Sequence, residues 1–192
     1  MLVDINKKYP NLKKKILKPL LINCNPNLIT LLSLISAIVS GYFFYNGMLI
    51  LASFFLAANG FLDILDGEIA RKFKRQSKLG DMLDHTTDRI SDVIIFLGVA
   101  LNPSVPNILG FLTIVFMLMV SYMGTQFQAI TNRRLYGGIV GRSDRIFLLF
   151  LFGIGSMFFE KSLYYGVIFI LILSIVTFLQ RLYKSIKEIK SD

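Results

Sequence analysis

Apolar residues fall in long runs separated by short polar connections, and the length of those runs decides the fold class. A helix rising about 1.5 Å per residue needs about 20 apolar residues to cross roughly 30 Å of hydrocarbon. Runs of this kind predict helices over 27–46, 48–71, 82–101, 106–131, 144–159 and 162–186, the fifth being the shortest. No internal repeat or low-complexity linker divides the chain. The pattern therefore predicts an all-α integral membrane fold, a single domain over 1–192 with six transmembrane helices.

The connections alternate in charge. Tyr45-Asn46-Gly47, Asn102-Pro103-Ser104 and Glu160-Lys161-Ser162 share a single lysine. The other set holds Arg71, Lys72, Lys74, Arg75 and Lys78, then Arg133, Arg134, Arg142 and Arg145, then Arg181, Lys184, Lys187 and Lys190. Basic residues stay on the cytoplasmic side of a cell membrane, so both termini and the second and fourth loops are expected there. Ahead of the first run, residues 4–20 interleave lysines with Leu12, Ile16, Leu17 and Leu20. Such a pattern is expected of an amphipathic helix lying on an anionic leaflet, here within a juxtamembrane segment over 1–25. Asn25 and Pro26 then read as N-cap and first helical position. No small-residue cleavage site follows the first run, so a cleaved signal peptide is not expected.

Composition agrees: 54% of the residues are hydrophobic and the mean hydropathy is +0.62, too apolar for an ordinary soluble domain of this length. The net charge of +9 raises nucleic acid as a partner, but the cations are spread over loops beside the bilayer, and no nucleic acid is expected. One cysteine, Cys24, permits neither an intrachain disulfide nor a cysteine metal site.

Seven of the twelve acidic residues lie between Asp63 and Asp92, around one cytoplasmic loop. Charges at the ends of spanning helices are costly unless paired, hydrated or metal-bound, so the cluster marks a function. Asp63 and Asp66 are three apart on the second helix, and Asp84 and Asp88 four apart on the third; each pair shares a helix face. A short loop makes the two helices antiparallel neighbours whose acidic faces can meet. Such carboxylates repel one another unless a cation sits between them, and with no suitable His or Cys set the donors suit Mg²⁺ or Mn²⁺. The competing reading is a structural ion-pair network with Arg71, Arg75 and Arg89. Gly67 inside the helix and Ala70 one turn on open a groove beside the acids, or serve helix packing. His85 stands about 100° round the helix from Asp84 and is expected to face elsewhere.

Together these residues read Asp63-x2-Asp66-Gly67-x2-Ala70-Arg71-x8-Gly80-x3-Asp84-x3-Asp88. The string resembles, without departure, the motif of the CDP-alcohol phosphotransferase family, and the six-helix layout and the Pro26-Asn27-x2-Thr30 entry also look like that family. The resemblance implies that an acceptor hydroxyl attacks the lipid-side phosphate of a CDP-activated lipid, CDP-diacylglycerol or CDP-archaeol, and releases CMP. It implies that Asp63, Asp66, Asp84 and Asp88 hold two divalent ions, that Asp88 is also the general base, and that Gly67, Ala70, Arg71 and Gly80 line the CMP part with Thr30 nearby. A homodimer is implied on the same ground.

The acceptor is less defined. Arginines suit bidentate phosphate contacts, so those of the fourth connection together with Arg181 suggest a phosphorylated acceptor, against a reading as positive-inside charge alone. Arg142-Ser143-Asp144-Arg145 resembles the Arg-x-acid-Arg element of the inositol-phosphate branch, where Arg133 or Arg134 and Arg181 would also help hold the acceptor phosphate. Inositol phosphate is the expected acceptor; phosphatidylglycerophosphate-type and phosphatidylserine-type synthases are the enzymatic alternatives. A divalent-cation transporter is the non-enzymatic one, but it should carry polar groups through the full membrane depth, whereas this chain keeps its acids on one side.

Overall fold

The computed structural model describes residues 21, 23–133 and 137–191, which form six helices. They are α1 (Pro26–Tyr45), α2 (Leu49–Lys72), α3 (Lys78–Ala100), α4 (Asn107–Thr131), α5 (Arg142–Gly155) and α6 (Ser162–Ser191). The expected surface helix over 4–20 lies outside the described residues. Four helices, α1, α2, α4 and α6, are long and apolar enough to cross a membrane. The other two differ for separate reasons. α3 is long enough but opens on Lys78, Asp81, Asp84, His85, Asp88 and Arg89, which lower its hydropathy. α5 has 14 residues, about 21 Å at the usual rise, so the span predicted over 144–159 is both shifted and shortened.

Local chemistry fixes those boundaries. At the start of α5 the Gly141 N–H donates to Asp144 Oδ2 at 3.0 Å, which caps the first turn two residues earlier than predicted. At its end Met157 N donates to Ile154 O and Phe158 N to Gly155 O, tightening the last turn so that the helix stops at Gly155. α3 also starts early, because Ser77 Oγ accepts the Gly80 N–H at 3.0 Å. α2 ends with Lys74 at φ 55° and the Arg75 N–H bonded to Ala70 O at 2.9 Å, a left-handed stop made without glycine.

Each helix packs chiefly on two others, and the pairs α1–α2, α2–α5, α5–α6, α6–α4, α4–α3 and α3–α1 close a ring. The core holds Phe44, Leu56, Ile95, Phe96, Leu149, Leu163 and Ile170, while large apolar residues such as Leu31, Phe54, Ile108 and Phe169 face outward. α1 and α2 are joined by side-chain bonds at about one per turn: Ser33 Oγ to Asn59 O at 3.3 Å, Ser36 Oγ to Phe55 O at 3.0 Å and Ser40 Oγ to Ala52 O at 2.9 Å. Polar contacts of this kind hold helices together where lipid removes the hydrophobic drive. Gly41 and Gly98 let the backbones of α1 and α3 touch, since a Cβ on Gly98 would fall on Gly41 O. These two contacts fix α2 and α3 around α1 and so set where their acidic ends meet.

Candidate active site

Asp63, Asp84 and Asp88 each offer a carboxylate oxygen within 4.8 Å of the others, the meeting of α2 and α3 that the spacing predicts. Oxygen donors alone, three carboxylates in one place, fit a hard divalent cation. Asp66, 4% exposed, is the exception: its Oδ2 accepts the Thr30 hydroxyl at 2.7 Å. The four aspartates are thus a cluster of three with a fourth held towards α1.

Arg142 enters this cluster from α5. Its Nη1 lies 2.7 Å from Asp88 and 3.0 Å from Asp63, and its Nε donates to Asp92 Oδ1 at 3.0 Å. Asp92, 2% exposed, also accepts from Arg89 Nη1 at 3.3 Å, and Arg89 reaches Ser121 Oγ on α4 at 2.7 Å. Asp92 was expected in the acidic cluster and Arg89 in the competing ion-pair network, but neither was given a ligand-binding role. Their signal was present in the sequence: Asp92 is one turn beyond Asp88, and Asp81, His85 and Arg89 repeat every four residues beside the 84–88–92 stripe.

Three concavities surround this centre, two bordered by its carboxylates and the third by Arg142. The first is polar and lies between the ends of α1, α2 and α3; Thr30, Asp66, Gly67, Ala70, Arg71, Gly80 and Asp84 line it, so every residue the motif implies for CMP borders one pocket. The second, of about 360 Å³, runs from Asp63 and Arg142 down an apolar wall of Leu56, Phe61, Ile64, Ile146, Phe147 and Phe150 between α2 and α5. The third, of about 710 Å³, is bordered by Arg89, Arg142, Arg145 and Arg181, with Ser121, Thr125 and Gln128 from α4 and Asp81 and His85 from α3. His85 therefore lies off the carboxylate cluster, as expected, and borders this cleft.

The predicted acceptor arginines separate. Arg142, Arg145 and Arg181 border the cleft; Arg133, among the described residues, does not, because Asn132 at φ 55° turns the chain off the end of α4. Arg134 lies outside the described residues. Arg181 donates from Nε to Gly137 O at 3.0 Å and from Nη1 to Val120 O at 2.7 Å, tying α6 to α4. Arg145 is 2% exposed, and its Nη1 is buried without a hydrogen-bond partner. A buried guanidinium nitrogen left unpaired is costly, and an anion in the cleft would satisfy it.

Comparison with known proteins bears on this arrangement. The sequence model for CDP-alcohol phosphatidyltransferase matches residues 23–179. An archaetidylinositol phosphate synthase of Pyrococcus horikoshii is 38% identical over 165 residues, 86% of this chain and 85% of its own. The phosphatidylinositol phosphate synthase of Mycobacterium tuberculosis, solved with manganese and citrate, superposes with a TM-score of 0.78 at 25% identity, over 90% of this chain and 88% of that one. Its form with bound CDP-DAG superposes at 0.79 with 24% identity, over 90% and 92% of the two chains. By the extent of the family match and the identity to a full-length relative, this chain belongs to the CDP-alcohol phosphatidyltransferase family, transferases of phospholipid biosynthesis.

Proposed function

We propose that the chain transfers the lipid-linked phosphate of a CDP-activated lipid to a hydroxyl of inositol phosphate, releasing CMP. The observation that carries the acceptor assignment is the Arg145 guanidinium, buried with an unpaired nitrogen in a cleft it shares with Arg89, Arg142 and Arg181. An anion is what that nitrogen lacks, and relatives are named synthases of archaetidylinositol phosphate and phosphatidylinositol phosphate.

The residues divide the work by concavity. The pocket of Thr30, Gly67, Ala70, Arg71 and Gly80 takes the CMP part, and the apolar groove between α2 and α5 takes lipid chain. Arg145 and Arg181 hold the acceptor phosphate, with Arg142 between them and the carboxylates. Divalent metal, Mg²⁺ or Mn²⁺, neutralises the diphosphate when bound, and Asp63, Asp66, Asp84 and Asp88 are the residues that would hold two ions. Asp88 accepts the proton of the attacking hydroxyl as its oxygen bonds to the lipid-side phosphorus. The bond from that phosphorus to the bridging oxygen breaks, and CMP departs along the Arg71 wall. Supporting this division, Asp88 faces both Asp63 and the arginine from the cleft.

The reading includes topology: one domain with six crossings, an amphipathic N-terminal segment, both termini and the active site at the cytoplasmic face of the cell membrane, and a homodimeric assembly. The charge alternation of the loops supports the orientation, and family resemblance supports the dimer. The test is CMP release from CDP-lipid with inositol phosphate, glycerol phosphate, serine and inositol offered as competing acceptors. Preference for inositol phosphate supports the assignment; preference for serine or inositol contradicts a phosphate-binding cleft.

A further inference from the structure

α3 carries two functional stripes. Asp84, Asp88 and Asp92 face Asp63 and Arg142, whereas Asp81, His85 and Arg89 border the cationic cleft. Arg89 has hydrogen-bond partners in Ser121 and Asp92. Asp81 and His85 do not serve packing: both side chains are more than half exposed, with His85 Nε2 3.7 Å from Asp81 Oδ1. Nor do they suit an anion, since a carboxylate at one end of a cleft repels a phosphate towards the guanidiniums at the other. What such a rim suits is a neutral group needing donors and acceptors together. An imidazole beside a carboxylate supplies both, and Thr125 and Gln128 face the same cleft from α4.

We infer that the Asp81–His85 pair reads the ring hydroxyls of the acceptor and so selects a phosphorylated polyol over a smaller phosphorylated alcohol. This rests on the reading that the acceptor phosphate lies at the arginine end. A cyclic polyol phosphate anchored there extends hydroxyls towards α3, while a three-carbon phosphate leaves the rim to water. Asp81 also borders the CMP pocket, so it lies where acceptor and nucleotide approach each other.

The test is steady-state kinetics of wild type, His85→Ala and His85→Gln with inositol phosphate and glycerol phosphate at saturating CDP-lipid. His85→Ala should raise the KM for inositol phosphate about tenfold, as expected for one or two lost hydrogen bonds. Its KM for glycerol phosphate and for CDP-lipid should stay within about twofold, and His85→Gln, whose amide still donates and accepts, should recover most of the loss. An equal change in KM for both acceptors, or in neither, overturns the hydroxyl-reading role and leaves the phosphate assignment standing. Wild-type turnover of glycerol phosphate without turnover of inositol phosphate overturns the hydroxyl-reading role and the inositol phosphate assignment together, and leaves only the phosphate-binding cleft.

Discussion

Arg142 Nη1 lies 2.7 Å from Asp88 Oδ1, although the two residues are on different helices and more than fifty positions apart. The contact joins the cationic cleft to the carboxylate proposed to take the proton. The same guanidinium holds Asp63 and Asp92, so it carries three ion pairs at the junction of α2, α3 and α5. Removing one partner of such a group leaves carboxylates facing one another, which costs on the order of 3 kcal/mol. Arg142→Ala should therefore lower the Tm of the detergent-solubilised protein in chelator, and added Mn²⁺ should restore much of it by replacing the lost positive charge. An unchanged Tm in chelator would show that the three pairs contribute nothing to stability.

Arg145 and Arg181 should part company in stability. Arg181 bonds two backbone carbonyls, whereas a buried nitrogen of Arg145 bonds none. Arg181→Ala is expected to weaken both folding and acceptor use. Arg145→Ala should raise the KM for the phosphorylated acceptor roughly ten- to a hundredfold, the loss of charged hydrogen bonds worth about 1.5 to 3 kcal/mol, with little loss of Tm. The check is thermal melting beside both apparent constants; a Tm loss in Arg145→Ala as large as that in Arg181→Ala contradicts it.

The pocket proposed for CMP can be tested at a glycine. A Cβ on Gly67 would meet nothing closer than the Arg71 guanidinium at 3.4 Å, an ordinary contact, so the fold tolerates alanine there. Any effect of Gly67→Ala thus reports on the ligand. CDP-lipid should bind several-fold more weakly while the Tm holds and the acceptor KM stays level. Equal CDP-lipid affinity in wild type and variant would remove Gly67 from the pocket.

Thr30 gives a paired test on the facing helix. Its hydroxyl donates to Asp66 at 2.7 Å, the bond that keeps Asp66 apart from the other three acids. Thr30→Val removes it at nearly constant volume and should lower turnover about tenfold; Thr30→Ser keeps the donor and should remain near wild type. Equal turnover in the two variants would show that the bond does not position Asp66.

How much of this the sequence disclosed follows from what spacing encodes. Runs of apolar residues report length against bilayer thickness, so α1, α2, α4 and α6 were legible to within a residue or so at most ends. α5 was not: Phe158 and Phe159 continue the apolar run, but the chain had already turned at Gly155. Helical spacing gave the meeting of Asp63, Asp84 and Asp88 because both pairs sit beside one short loop. It could not give Arg142, which reaches Asp63 across 79 positions, since closure of the ring through α5 is a tertiary fact. Arg133 shows the converse: a basic residue beside the right helix is carried out of the cleft by a single left-handed residue. Whereas the sequence placed His85 off the carboxylate face, only the position of α4 shows what it faces instead.

The central claim is that carboxylates from α2 and α3 carry the transfer through bound cation. The most direct measurement is the initial rate of CMP release from CDP-lipid with inositol phosphate, for wild type and Asp84→Asn, in chelator and after titrating Mn²⁺ or Mg²⁺. The account predicts no release in chelator, recovery in the wild type as cation is added, and at most a small recovery in Asp84→Asn with its Tm retained. Full turnover of the wild type in excess chelator, or normal turnover of Asp84→Asn, would contradict it.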